Sequence, residues 1–421
     1  MTMTEQLPSP TTTRREILAF ATDHDRAISD WAALFDRDPV ANPYQHPDYV
    51  LAELRSKPIG RAIHPVVLRD GSEQECDAIG VLVPKTIRTN QVGGIGPGWS
   101  LQGLRLVGGS FLTADQSLET QSSLLSAAVA HSAKAGADFL LIEDLDEQSN
   151  LSHAALMPGV HNFQRFPVRE IQARWRIDFP ENEQDYWNRF SGRTRYAFRT
   201  RLKKIGAMEL ERITTVEQLP AFLAAAHEIS KQSWQSRQFG LRIKNDETEK
   251  QLLSILAQHG FLRSYLMRIE GKPAAFAICH QHAGGFRYEE IAYCAEFSLL
   301  SPGETMLQQI IVDLFQHQKP NWFDFGGGDA EYKRKFGTNS GRSQTLWLVP
   351  RTWRAGSALS YLNTCRSVRS SVRSAIDACG LSTKVRQWLR YGHHSAQAAT
   401  PAASTTANSV DQADSSDQIG R

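Results

Sequence analysis

Hydrophobic and polar positions change period along this chain, and those changes outline its elements. Ile63 to Leu68 and Ala78 to Ile87 read as strands on either side of an Asp70-Gly71-Ser72 turn. Gly93 to Gly109 is glycine-rich and reads as a loop with short strands. From Ser117 to Ala135 the period lengthens: Leu118, Leu124, Leu125, Ala128 and Val129 recur at helical spacing, and Gly136 ends the pattern. Phe139 to Ile142 returns to a strand. The stretch from 148 to 180 reads as a connection, with Trp175 to Phe179 strand-like.

The second half repeats this order more clearly. Helical patterns cover Asp185 to Ile205 (interrupted near Gly192), Val216 to Ser236 and Asp246 to Gln258. Strands follow at Phe261 to Ile269, Pro273 to Gln281 and Phe286 to Ala295, with Glu270-Gly271-Lys272 and Ala283-Gly284-Gly285 as hairpin turns. A helix from Glu304 to Gln318 then leads to strand Trp322 to Phe325, helix Ala330 to Phe336 and strand Gln344 to Val349. Strands so close in sequence must pair antiparallel, whereas the strand–helix–strand passage from 286 to 325 allows a parallel crossover. The expected class is α+β, with a mixed, mostly antiparallel sheet flanked by helices in each half. A basic helical stretch closes the pattern from Ser357 to Tyr391. Its seam is Leu359, Leu362, Cys365, Val368, Val372, Ile376 and Cys379.

At 421 residues the chain exceeds one ordinary core, so two domains and a tail are expected. The division is a polar N-terminus to residue 14, halves at 15–150 and 181–350, a helical extension at 351–394 and a disordered tail at 395–421. A net charge of +2 removes whole-chain attraction to nucleic acid as an argument. Five cysteines without a C-x-x-C pair read as reduced thiols. No secretory signal or membrane span is legible, so a cytoplasmic location is expected.

Candidate chemistry gathers between Phe286 and Gly337. Strand, glycine turn and helix start at Gly326-Gly327-Gly328 form a geometry that can offer backbone N–H groups to an anion. Glu289 and Glu290 are adjacent on a strand and are therefore expected on opposite faces; either could serve as a general base. Arg189, Arg193, Arg195, Arg199, Arg201, Lys203 and Lys204 make the strongest basic cluster, suited to an anionic substrate or simply to water. Asp324-Phe325-Gly326 spells a kinase metal motif without its companions, and Gly94-x-Gly96-x-Gly98 is interrupted by Pro97. His280-x-His282 lacks a third metal ligand at convincing spacing.

Gly271-Lys272-Pro273-Ala274-Ala275-Phe276, Leu300-Ser301-Pro302-Gly303, Phe323-Asp324-Phe325-Gly326-Gly327-Gly328, Tyr332-Lys333 and Phe336-Gly337 together resemble the GNAT acyltransferases. The similar branch is the BioF2-like or CelD (BcsL)-type one, related to the FemAB peptidyltransferases. Coverage runs from about 185 to 340, and the first half resembles the degenerate GNAT-like half such proteins carry. The resemblance implies acyl-CoA as co-substrate, no metal, and an amine or hydroxyl acceptor, a small molecule or a saccharide of cell-surface polysaccharide biosynthesis. It implies Glu289 or Glu290 as base, Tyr332 as the acid that protonates the leaving thiolate, and Leu299, Ser301, Gly303, Glu304 and Thr305 around the donor. It implies Asp324, Lys333 and Arg199 as substrate-binding residues. The loop departs from the family pattern: it has one glycine, and Glu304 places a carboxylate in the first helical turn, where a phosphate would be repelled.

Two other readings stand beside acyl-CoA chemistry. The FemAB relationship implies aminoacyl transfer from tRNA, aided by the basic helix before Leu202. The irregular loop also fits a non-catalytic accessory protein of a polysaccharide assembly, whose C-terminal helix docks to a partner or to the periphery of the inner membrane.

Overall fold

A computed structural model of the chain describes residues 16–19, 24–56, 66–71, 76–93, 98–157, 163–168, 170–233 and 243–378. The polar N-terminus, the tail, most of the Gly94–Gly98 motif and the last seam residue, Cys379, lie outside the described residues.

The first half holds β1 (Glu16–Ala19), α1 (His24–Arg37), α2 (Pro47–Arg55), β2 (Val66–Gly71), β3 (Cys76–Arg88), α3 (Thr89–Gly93), β4 (Ser100–Leu106) and β5 (Leu112–Thr113). It ends with α4 (Leu118–Lys134), β6 (Phe139–Asp146) and α5 (Asn150–Leu156). The stretch expected as a connection contains β7 (Phe163–Pro167) and β8 (Gln172–Asp178). The second half runs α6 (Glu183–Asn188), α7 (Gly192–Ile205), β9 (Met208–Ile213), α8 (Leu219–Gln232), α9 (Glu247–Gln258), β10 (Ser264–Ile269) and β11 (Lys272–His282). It continues with β12 (Gly285–Tyr293), α10 (Pro302–Gln316), β13 (Trp322–Gly327), α11 (Glu331–Phe336), β14 (Asn339–Pro350) and α12 (Trp353–Ala378).

These strands form one 14-stranded sheet rather than two separate ones. Its order is β1-β2-β3-β4-β6-β14-β8-β13-β12-β11-β10-β9, with β5 on β3 and β7 on β14. The repeat read from the sequence is present: β2-β3-β4-α4-β6 matches β10-β11-β12-α10-β13. In each copy the helix returns the chain to a parallel partner, β4 with β6 and β12 with β13. The tight hairpins follow from Glu270-Gly271 and Ala283-Gly284, all four at positive φ, as a two-residue turn of the matching twist requires.

β14 joins the halves. Its first residues, Asn339–Ser343, pair with β8, and its later ones pair with β6 on one side and β7 on the other. The main core crosses the same boundary: Trp31, Leu34, Phe35 and Val50 of α1 and α2 share a cluster with Phe276 and Phe286. The apolar face of α12 covers another part of the sheet. Ala355, Ala358, Leu359 and Leu362 pack on Phe139, Phe166 and Trp347, and the Arg366 guanidinium lies 4.0 Å from the Phe166 ring centroid. The C-terminal helix thus packs on its own molecule, although Val368 is exposed. No described helix is long and apolar enough to cross a membrane.

Candidate functional site

β12 and β13 pair only over Gly285–Arg287 and Trp322–Asp324. Beyond Arg287 and Asp324 their ladder ends, although both strands continue. The register of β12 on β11 shifts at the same place: Tyr288 opposes Cys279 and Glu290 opposes Ile278, so Glu289 is a bulge residue. Directly opposed residues share a face, and Ile278 and His280 lie on the same face of β11. Arg287, Glu289 and Glu290 therefore all point to that side. The expectation that the two glutamates face opposite ways is corrected here, because the bulge inserts one residue into the alternation.

That face meets the first half of the chain. Tyr44, between α1 and α2, donates its hydroxyl to Glu289 Oε2 at 2.5 Å and contacts His280 Nε2 at 2.6 Å. His280 is fully buried, and burial holds its pKa below the ordinary histidine value against the raising effect of Glu289. A neutral ring that donates Nε2–H to the tyrosine oxygen gives the ordered series His280, Tyr44, Glu289. The side chain of Glu289 is 26% exposed, so its carboxylate is anchored yet reachable. Sequence reasoning missed Tyr44, and it weighed His280 only as a metal ligand. Tyr44 lies 245 residues from Glu289, and nothing local in the sequence reports that contact.

Tyr332 lies on the opposite face. Its ring meets Phe325 edge-on at 6.0 Å, and burial pushes its phenol well above the ordinary range. Tyr288, whose phenol burial also raises, is its electrostatic neighbour. The N-terminus of α10 is on this face too. Ser301 is left-handed (φ 53°) and makes no side-chain cap, so the first helical N–H groups are not claimed by that serine. A Cβ at Gly303 would meet the Tyr293 ring at 3.5 Å, ordinary contact. Thr305 is buried and bonds the Ser301 carbonyl, whereas Leu299 is 88% exposed. Glu304 is held by Arg201 of α7 at 2.8 Å and by Lys335 of α11.

The remaining residues have internal partners or face water. Asp324 is buried and paired with Arg174, with Arg287 at 3.8 Å. Burial alone would raise its pKa, but Arg174 and Arg287 hold it well below the usual carboxylate range. The glycine turn points its carbonyls inward: buried Lys333 donates Nζ to Gly327 O at 2.8 Å, and the Gly326 N–H is taken by Asp324 at 2.9 Å. Of the N–H groups expected to receive an anion at Gly326–Gly328, that of Gly326 is thus taken by the protein's own carboxylate. Arg199 is exposed on α7, without an ion pair among the described residues.

Residues 192–334 match the family model described as the acetyltransferase (GNAT) domain. Across the chain, the crystal structure of FemX is similar at TM-score 0.56 and 13% identity, covering 80% of this chain and 97% of that one. The C-terminal domain of a putative lysylphosphatidylglycerol synthetase from Agrobacterium fabrum aligns at TM-score 0.48 and 14% identity, covering 81% and 96%. A tandem GNAT protein from the clavulanic acid biosynthesis pathway aligns at 0.45 and 14%, covering 80% and 98%. No curated protein matches the chain.

Proposed function

We propose, from the match of residues 192–334 to the acetyltransferase (GNAT) domain model, that the chain transfers an acyl group from acyl-CoA to an amine or hydroxyl acceptor. The observation that supports this reading best is the end of the β12–β13 ladder beside the bulged, tyrosine-anchored Glu289. In this reading the two faces of the sheet communicate where the ladder ends. Donor and acceptor can therefore approach from different sides.

In the proposed reaction the acceptor nitrogen or oxygen attacks the thioester carbonyl carbon. The new C–N or C–O bond forms as the C–S bond breaks. Glu289 takes the acceptor proton; Glu290 is the alternative base on the same face. Tyr44, backed by His280, orients the Glu289 carboxylate. Tyr332 gives its phenolic proton to the leaving sulfur, and its raised pKa keeps that proton in place until a thiolate forms. The α10 N-terminus receives the pyrophosphate. The acceptor is a small molecule or a saccharide of a surface-polysaccharide assembly, as the resemblance implies.

One observation favours a second reading. Glu304 and its two cations already fill the first turn of α10, and α7 exposes Arg199 two residues from one of those cations, Arg201. A donor carried on tRNA would use the basic helix instead of a pyrophosphate seat. A thermal-shift screen separates the two. Stabilisation by acetyl-CoA or longer acyl-CoAs, followed by CoA release with amine or hydroxyl acceptors, is the expected result. Salt-sensitive stabilisation by aminoacyl-tRNA alone would replace it with the second reading, and no response to either donor would overturn both.

A further inference from the structure

We infer a divalent transition-metal site between the two halves, built by His46, Asp48 and His259. Among the described residues this is the one group of three or more histidine, cysteine or carboxylate side chains whose donor atoms all lie within 4.8 Å of one another. His259 Nε2 is already 2.8 Å from Asp48 Oδ2, and the His46 and His259 rings are 3.9 Å apart between centroids. Zinc–ligand bonds near 2.0–2.1 Å set tetrahedral ligand atoms about 3.3 Å apart, so closing the site needs a movement on the order of 1 Å. Asp48 and His259 can make it, because their side chains are 57% and 33% exposed. His46 is 8% exposed and serves as the fixed ligand.

The surroundings orient the rings. Phe35 meets His46 edge-on at 5.1 Å, and Phe261 stacks on His259 with 17° between planes. His46 Nδ1, 3.9 Å from Asp48 Oδ2, accepts the Asp48 N–H at 3.3 Å as the cap of α2, and a bound ion would take the place of that hydrogen bond. Two imidazoles and one carboxylate form a donor set for zinc and its neighbours rather than for magnesium or calcium, which prefer oxygen alone. The open side faces solvent through Asp48, leaving a position for water. His46 and Asp48 belong to the first half and His259 ends α9 in the second, so a bound ion would tie the halves together. It would lie close in sequence to Tyr44 without using any group of the acyl-transfer proposal.

The test is calorimetric titration of ZnCl2 into the chelator-treated full chain, with thermal unfolding alongside. One equivalent should bind with micromolar or tighter Kd and raise the Tm. Asp48→Asn and His259→Ala should each weaken binding by about ten-fold or more while keeping the Tm of the metal-free protein. MgCl2 should produce neither effect. Absence of saturable zinc binding by the wild-type chain would overturn the site. Equal binding by both variants would do the same, by placing the ion on cysteines or on His393 and His394. Failure of acyl transfer leaves this test untouched, since no substrate enters it.

Discussion

At the scale of single residues, two carboxylates in similar strand positions have opposite expected roles. Glu289 is partly exposed and held by one phenol; Glu289→Gln keeps the acceptor for that hydrogen bond but removes the base. Turnover should fall roughly 100-fold or more while the Tm stays near that of the wild type. Unchanged turnover would move the role to Glu290. Asp324 is the contrary case, because it is buried and neutralises two guanidiniums whose side chains are largely covered. Asp324→Asn should cost about 3–5 kcal/mol, read as a lowered urea midpoint, because Arg174 and Arg287 lose their counter-charge. Both residues were legible as candidates, Glu289 as a base and Asp324 as a substrate contact, but their surroundings were not. Which one stayed partly exposed and which one faced two arginines depended on Arg174, 150 residues away from Asp324.

Elements were legible wherever a period ran long enough. The helix read over Ser117 to Ala135 spans Leu118–Lys134, and the strand read over Pro273 to Gln281 spans Lys272–His282. Both hairpin turns appear where their glycines stand. The bulge at Glu289 was not legible, since it comes from the pairing of two strands and from neither alone. The N-terminus of α10 carries the element-scale prediction. Glu304 occupies the first turn, so Glu304→Gln frees Arg201 and Lys335 for a phosphate. Acetyl-CoA affinity by calorimetry should rise roughly five-fold if this helix end receives the donor. Weaker binding would show that Glu304 organises the site and that the pyrophosphate lies elsewhere.

For the whole molecule, the shared sheet and the cross-half core predict one cooperative unfolding transition with a marked pH dependence. His280 is kept neutral in the fold, below the ordinary value of 6.5. An unfolded chain gains that proton as the pH falls below 6.5 while the folded chain does not, so stability declines there. Asp313 and Asp324 behave as depressed carboxylates. Burial opposes them, but Asp313 is held charged by Arg212, Arg263 and Tyr265, and Asp324 by Arg174 and Arg287. Their stabilisation is full above the ordinary carboxylate value of 3.8 and is lost as the pH falls below it. Thermal unfolding followed downward from neutral pH should show a shallow loss and then a steeper one; a flat first phase would remove His280 from the account. The order of strands and helices, the internal repeat and the positions of the glycine turns were written in the chain's own periodicity, because backbone propensity and face-by-face burial act over a few residues. The joining of two expected sheets through β8 and β14, the arrival of Tyr44 at Glu289 and the meeting of His46 with His259 were decided only in three dimensions. Each depends on a contact between distant segments, whose geometry is set by packing of the whole core.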